Sequence, residues 1–286
     1  MSRMARAVAL AAVGLAIAAA PAAGSAQRRV LLVLIPVRNA GGSLERFRSY
    51  EQLESVALMT ASIGSYNEEQ TLLDITQGSR VPRLDYSPQA PPQFSVTRGG
   101  EVREWAVIAR RARSADASIE PGLLASRVPG GAAYARAGAA ASVDAVLAAG
   151  RRGRLAAISL GSRRSLLGRV QRLLARHGLV VVDLAGDALG FAELHAMLVA
   201  RRRGELVLVL ERPPQSAARA ARTPLLLALG AAGLATTPGA LTTPTTRIDG
   251  LVSASDLAPT IIRWLDRHGP SELTGQAINP GAPRSV

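Results

Sequence analysis

The stretch GLVVVDLAGDALGFAELHAMLVARRRGELVLVLE (178–211) sets two solid apolar runs, GLVVVDLA (178–185) and ELVLVLE (205–211), on either side of FAELHAMLVARRRG (191–204). A run with no polar alternation is what a strand buried on both faces requires. The amphipathic segment between the runs is long enough for a crossover helix. The pattern extends outward in both directions. RRVLLVLIP (28–36), RLAAISLG (154–161) and TPLLLALG (223–230) repeat the strand signal, and SVDAVLAAGRR (142–152) and SRRSLLGRVQRLLARHG (162–178) repeat the helix signal. The expectation is an α/β fold: a three-layer α/β/α sandwich around a mostly parallel central sheet, with functional residues beyond the carboxyl ends of the strands. Asp183 sits there, four residues before Asp187, so a metal-binding or catalytic loop and an ordinary turn are both open readings.

Two stretches break the alternation. VPRLDYSPQAPPQFSVTRGG (81–100), with four prolines, reads as a loop, as does ERPPQSAARAART (211–223). VPGGAAYARAGAAAS (128–142) lacks dinucleotide-binding spacing and reads as flexible turns with Ala-rich packing. No internal repeat or linker divides the chain, so residues 27–286 are expected to form one domain.

The chain has 286 residues, 48% of them hydrophobic and only 3% aromatic, so its core is built from Ala, Val and Leu. All 34 basic residues are arginine, the formal charge is +13 and there is no cysteine. The arginines are scattered in short groups with few aromatics to stack on bases, which argues against a nucleic-acid role. A solvated basic surface facing an anionic polymer, with peripheral membrane proximity, is the plainer reading. Lack of cysteine excludes disulfides and thiolate chemistry. Walker, G-x-S-x-G and H-E-x-x-H patterns are missing as well.

At the N-terminus, Arg3 and Arg6 precede AVALAAVGLAIAAA (7–20), Pro21 and small residues with Gly24 and Ala26 at the −3 and −1 positions. Residues 1–26 therefore read as a signal peptide, and the protein as exported to the extracellular space or cell envelope. Retention of this segment as an uncleaved anchor is the alternative.

The C-terminal phrase GLVSASDLAPTI (250–261), followed by GPSELTGQAI (269–278), resembles the end of alkaline-phosphatase-superfamily domains, the group of phosphatases, sulfatases and phosphodiesterases. Read locally, it is a short strand and a helix capped at Ser255 or Asp256, with Pro259 in the first turn. The resemblance implies an alkaline-phosphatase-like sandwich with two divalent cations, usually zinc, held by aspartates and histidines. It also implies a Ser or Thr nucleophile. A family ligand loop D-x-x-G-H-x-x-G is matched by Asp183, Gly186 and Gly190, with Asp187 in place of histidine. Asp183 and Asp187 are thus the candidate metal ligands.

Elsewhere the match to the ligand pattern fails. The family's I-D-G-x-R falls on Ile35, Pro36, Val37 and Arg38. Its S-D-H-G falls on Leu210, Glu211, Arg212 and Pro213, which places a permanent cation where a metal would bind. TTPTTRIDG (242–250) contains no histidine, and His177, His195 and His268 read as structural or surface residues. In SIGSYNEEQTLLDITQGSR (62–80), Ser65 is nearest to the nucleophile's place, with Thr60 behind it; the alternative is an N-cap serine before Glu68 and Glu69. The expectation is an exported, alkaline-phosphatase-like domain that has lost most metal ligands and serves as a non-catalytic binding or structural protein. Its partner would be an envelope protein or anionic polymer, with no cofactor. The alternative is a hydrolase of phosphate or sulfate esters using zinc or another divalent cation in a rearranged site.

Overall fold

β1 (Arg29–Pro36) is apolar from Val30 onward because both of its faces are covered. Val30, Leu32 and Leu34 enter one hydrophobic core, and Leu31, Val33 and Ile35 enter another on the opposite face. The strand pairs in parallel with β5 (Leu179–Asp183) on one side and β6 (Glu205–Arg212) on the other. Both neighbours divide their side chains between the two cores in the same way. Full burial of each such Val or Leu contributes about 1.5–3 kcal/mol.

The computed structural model describes residues 27–36, 40–61, 63, 67–212, 226–235, 237–265 and 273–283. The other elements are α1 (Ala40–Arg48), β2 (Ser55–Thr60), α2 (Glu68–Gln77), α3 (Trp105–Ala112), α4 (Leu123–Arg127), β3 (Ala132–Ala137), β4 (Ala157–Gly161), α5 (Leu166–Leu174), α6 (Ala188–Val199), β7 (Leu226–Ala232), β8 (Gly239–Thr242), β9 (Leu251–Ser253), α7 (Leu257–Trp264) and β10 (Asn279–Pro283). One mixed sheet runs in the order β10-β8-β2-β7-β6-β1-β5-β3-β4, with β9 also paired to β2. The pairings of β7 with β6 and β2, and of β10 with β8, are antiparallel; the rest are parallel. Phe47 of α1, Val170 of α5 and Leu194 of α6 cover one face. Ile75 of α2, Leu124 of α4 and Ile261 of α7 cover the other. This is the expected three-layer sandwich with a mostly parallel sheet.

Several local expectations are corrected. The Ala-rich stretch read as turns contains β3, whose Ala132, Ala133, Tyr134 and Ala135 are buried between β5 and β4. Alanine side chains carry too little apolar bulk to stand out as a strand in the sequence. The helix expected over 142–152 is a 3-10 segment at Val143–Ala148. The chain must double back at Gly150 and Gly153, the latter at φ +69, to enter β4, which leaves room for only two tight turns. α2 starts at Glu68, and its cap is Asn67 rather than a serine: the Asn67 side chain accepts from the Gln70 backbone N–H at 2.8 Å. The C-terminal helix is confirmed, but Ser253 and Asp256 form its capping box through a 3-10 turn at Ala254–Asp256. Residues 1–26, Ser65 and His268 lie outside the described residues. Among the described residues, no helix is long and apolar enough to cross a membrane.

Candidate functional site

Strand periodicity assembles the site. Side chains two residues apart share a face, so Arg212 follows Leu208 and Leu210, Asp183 follows Leu179 and Val181, and Arg136 follows Ala132 and Tyr134 onto one face of the sheet. Register brings their ends level: Arg136 lies opposite Asp183 on the neighbouring strand, and Arg212 lies opposite Pro36. Pro36 presents no ligand, and the long Arg212 side chain reaches across to the β5 tip.

Three carboxylates surround the Arg212 guanidinium. Glu68 Oε1 accepts a hydrogen bond from Nη1 at 2.9 Å, Asp144 Oδ2 lies 2.9 Å from Nε, and Asp183 Oδ1 lies 3.6 Å from Nη2. Arg136 Nε completes the group 3.0 Å from Asp183 Oδ2. The contacts at Nε of Arg212 and Oδ2 of Asp183 are ion pairs by distance without hydrogen-bond alignment, and Asp144 Oδ1 accepts no hydrogen bond. Asp144 is 0% exposed and Asp183 3%, so this charge is held almost out of water.

Burial pushes the Asp144 carboxyl up to about 7; Arg212 pulls it down, and Asp183 and Glu68 push it further up. Burial acts against the charge on Arg212, yet Asp144, Asp183 and Glu68 together raise its pKa above the ordinary arginine value. A hydroxyl relay continues inward: Ser142 Oγ donates to Asp144 Oδ2 at 3.3 Å and lies 3.0 Å from the Tyr134 hydroxyl. Burial, with Asp183 nearby, raises the Tyr134 pKa.

The two aspartates expected to share a metal have different partners. Asp183 points inward to Arg136 and Arg212. Asp187 caps α6, accepting from the Gly190 N–H at 2.7 Å, and pairs with Arg163 at 3.2 Å on the surface. The Gly190 N–H and Arg163 hold its pKa below the ordinary value. The Thr60 hydroxyl accepts from Arg80 at 3.0 Å. His177 Nδ1 contacts the Gly130 carbonyl at 2.7 Å, and the His195 ring lies 6.1 Å from that of Tyr50.

Sequence reasoning identified Asp183 and the anomaly of Arg212 but missed Glu68 and Asp144. A lone carboxylate in the apolar run SVDAVL was the available signal for Asp144. Among the described residues, no group of three or more His, Asp or Glu side chains is arranged to hold a metal ion. The carboxylates that converge do so on a guanidinium, so these residues do not fit the divalent cations that the motif resemblance implies.

No protein-family model matches this sequence, and no curated protein does. Among solved structures, the chain is similar to the PH0037 protein from Pyrococcus horikoshii, with 10% identity over 85% of this chain and 98% of that one and a TM-score of 0.47. It is similar to Ps i-CgsB, with 10% identity, coverage of 87% and 75% and a TM-score of 0.45. It is also similar to cofactor-independent phosphoglycerate mutase from Thermoplasma acidophilum, with 9% identity, coverage of 83% and 100% and a TM-score of 0.37.

Proposed function

We propose that the chain is an exported, alkaline-phosphatase-like domain in which a tethered guanidinium stands in for the metal centre, and that it binds or scaffolds rather than hydrolyses. The observation that carries this reading is the placement of Arg212 among Glu68, Asp144 and Asp183 at the strand tips. A guanidinium neutralises these carboxylates but has no vacant coordination position with which to polarise an ester oxygen or acidify a nucleophile. The basic surface and the N-terminal sequence pattern support an envelope protein or anionic polymer as partner.

The test is elemental analysis of the purified chain, combined with turnover of nitrophenyl phosphate and a nitrophenyl phosphodiester in the presence of added zinc. The expected result is substoichiometric metal and no turnover above that of Asp183→Ala. Stoichiometric metal together with turnover that Asp183→Ala abolishes would overturn the reading in favour of a rearranged hydrolase site. Fractionation of tagged cells tests export, which is refuted by recovery of the full-length chain in the cytosol.

A further inference from the structure

The two ends of the parallel strands differ in how their arginines are compensated. At the tips, Arg136, Arg163 and Arg212 are each paired with carboxylates. At the other end, where β1, β5 and β6 begin, the pairing is missing. Arg172 and Arg176, a turn apart at the end of α5, and Arg202 and Arg203, between α6 and β6, are all exposed. Among the described residues none of these side chains forms an ion pair. Backbone hydrogen bonds set the two groups side by side. The Val30 N–H donates to the Gly178 carbonyl at 2.8 Å and the Arg29 N–H to the Gly204 carbonyl at 3.2 Å, so the turns carrying Arg176 and Arg203 flank the start of β1.

Arg29 adds to the same field. It is 9% exposed, and its Nε and Nη1 donate to the Leu174 and Arg28 carbonyls at 2.6 and 3.1 Å. Those carbonyls satisfy its donors without cancelling its charge. A crevice of about 230 Å³ between α5 and α6 opens among these residues. Its lining includes Arg29, Arg202 and Arg203 but one carboxylate, Glu205, whose Oε2 accepts from the Arg202 backbone N–H at 2.8 Å. A fixed platform of like charge such as this is complementary to a dense array of anions.

Two features favour a bilayer over a soluble polyanion. Val199, at the end of α6 beside the basic turn, keeps 61% of its surface exposed, an apolar contact suited to a lipid interface. The apolar stretch 7–20 precedes Gln27 by six residues, and Gln27 lines the same crevice. We propose that this end of the domain docks on an anionic phospholipid bilayer, with Arg172, Arg176, Arg202 and Arg203 against lipid phosphates and Val199 in the interface. The proposal gives the envelope role above a partner and rests on that role for access to a membrane.

The test is co-sedimentation of the purified full chain with vesicles of phosphatidylcholine, alone or mixed with phosphatidylglycerol. Binding to the anionic vesicles is expected to be about tenfold tighter, with the difference collapsing in about 0.5 M NaCl. Arg202→Gln/Arg203→Gln and Arg172→Gln/Arg176→Gln are each expected to weaken it about tenfold. Arg110→Gln/Arg113→Gln, at the exposed end of α3 on the opposite face of the sheet, removes the same charge and should bind as the wild type does. The proposal is overturned by equal binding to both kinds of vesicle, by either patch variant binding as the wild type does, by an equal loss in the α3 variant, or by tighter binding of polyphosphate than of the anionic vesicles. Vesicle binding is read apart from turnover and cell fractionation, so hydrolysis or a cytosolic location would refute the envelope reading while this measurement still stands.

Discussion

Replacing Arg212 by methionine keeps most of the side-chain length and removes the charge that three carboxylates share. Asp183 would retain Arg136 at 3.0 Å, so the uncompensated groups are Asp144, at 0% exposure, and Glu68, at 6%. Removing one partner of a buried ion pair costs roughly 3–5 kcal/mol, because the remaining charge stays desolvated. For a domain of this size that corresponds to a fall in Tm of about 10 °C. The pH dependence is diagnostic. Asp144 already binds its proton more tightly when folded, at about 7, than an unfolded aspartate does, so its contribution to stability is complete at low pH and fades as pH rises to about 7. Arg212 is the group that pulls this value down, so in the variant the loss continues to higher pH. Thermal melts followed by circular dichroism should therefore show a larger gap between wild type and Arg212→Met near pH 9 than near pH 6, with Asp144→Asn in the same chain recovering part of it. A variant that melts with the wild type near pH 9, or a gap independent of pH, would refute the account of Arg212 as the counterion of this cluster.

Asp74 gives a second pH signature. Its folded value of about 8 lies above its ordinary 3.8, so stability is lost as pH rises between them, and Asp74→Asn should melt above the wild type near pH 9 and with it near pH 4. Asp256 is fully buried and accepts from the Ser253 N–H, the Thr245 hydroxyl and the Gln276 N–H at 2.8, 2.6 and 2.9 Å; urea unfolding of Asp256→Asn should show a loss of about 1.5–3 kcal/mol. A Cβ on Gly275 would collide with the Ser255 carbonyl, so Gly275→Ala should cost about 1–3 kcal/mol in the same assay.

The layers of this fold were legible where bulky side chains fill them. β1, β5 and β6 announce themselves because burial on two faces fills their central positions with Val, Leu and Ile. Ala132 to Ala135 of β3 are just as buried, yet these alanines are indistinguishable from loop composition until pairing with β5 and β4 places them. The antiparallel setting of β7 was hidden for a different reason: strand direction depends on the connection, and periodicity is blind to it. At the site, the sequence supplied Asp183 from one motif and the cation at Arg212 from a second. Their convergence with Glu68 and Asp144 depends on contacts between residues up to 144 positions apart, which no local spacing encodes. The two glutamates that open α2 illustrate the difficulty. Both suit the helix dipole equally well, but only Glu68 is buried against Arg212.

Arg212 is joined to its strand by covalent bonds, which separates it from any exchangeable ion in the same position. A zinc ion can be stripped by a chelator or outcompeted when the surroundings are poor in transition metals, and its ligands must then protonate or repel one another. A guanidinium remains charged at every physiological pH and cannot diffuse away. The strand tips should therefore keep their shape through metal starvation and in the presence of EDTA, conditions under which a zinc-held sheet edge would loosen.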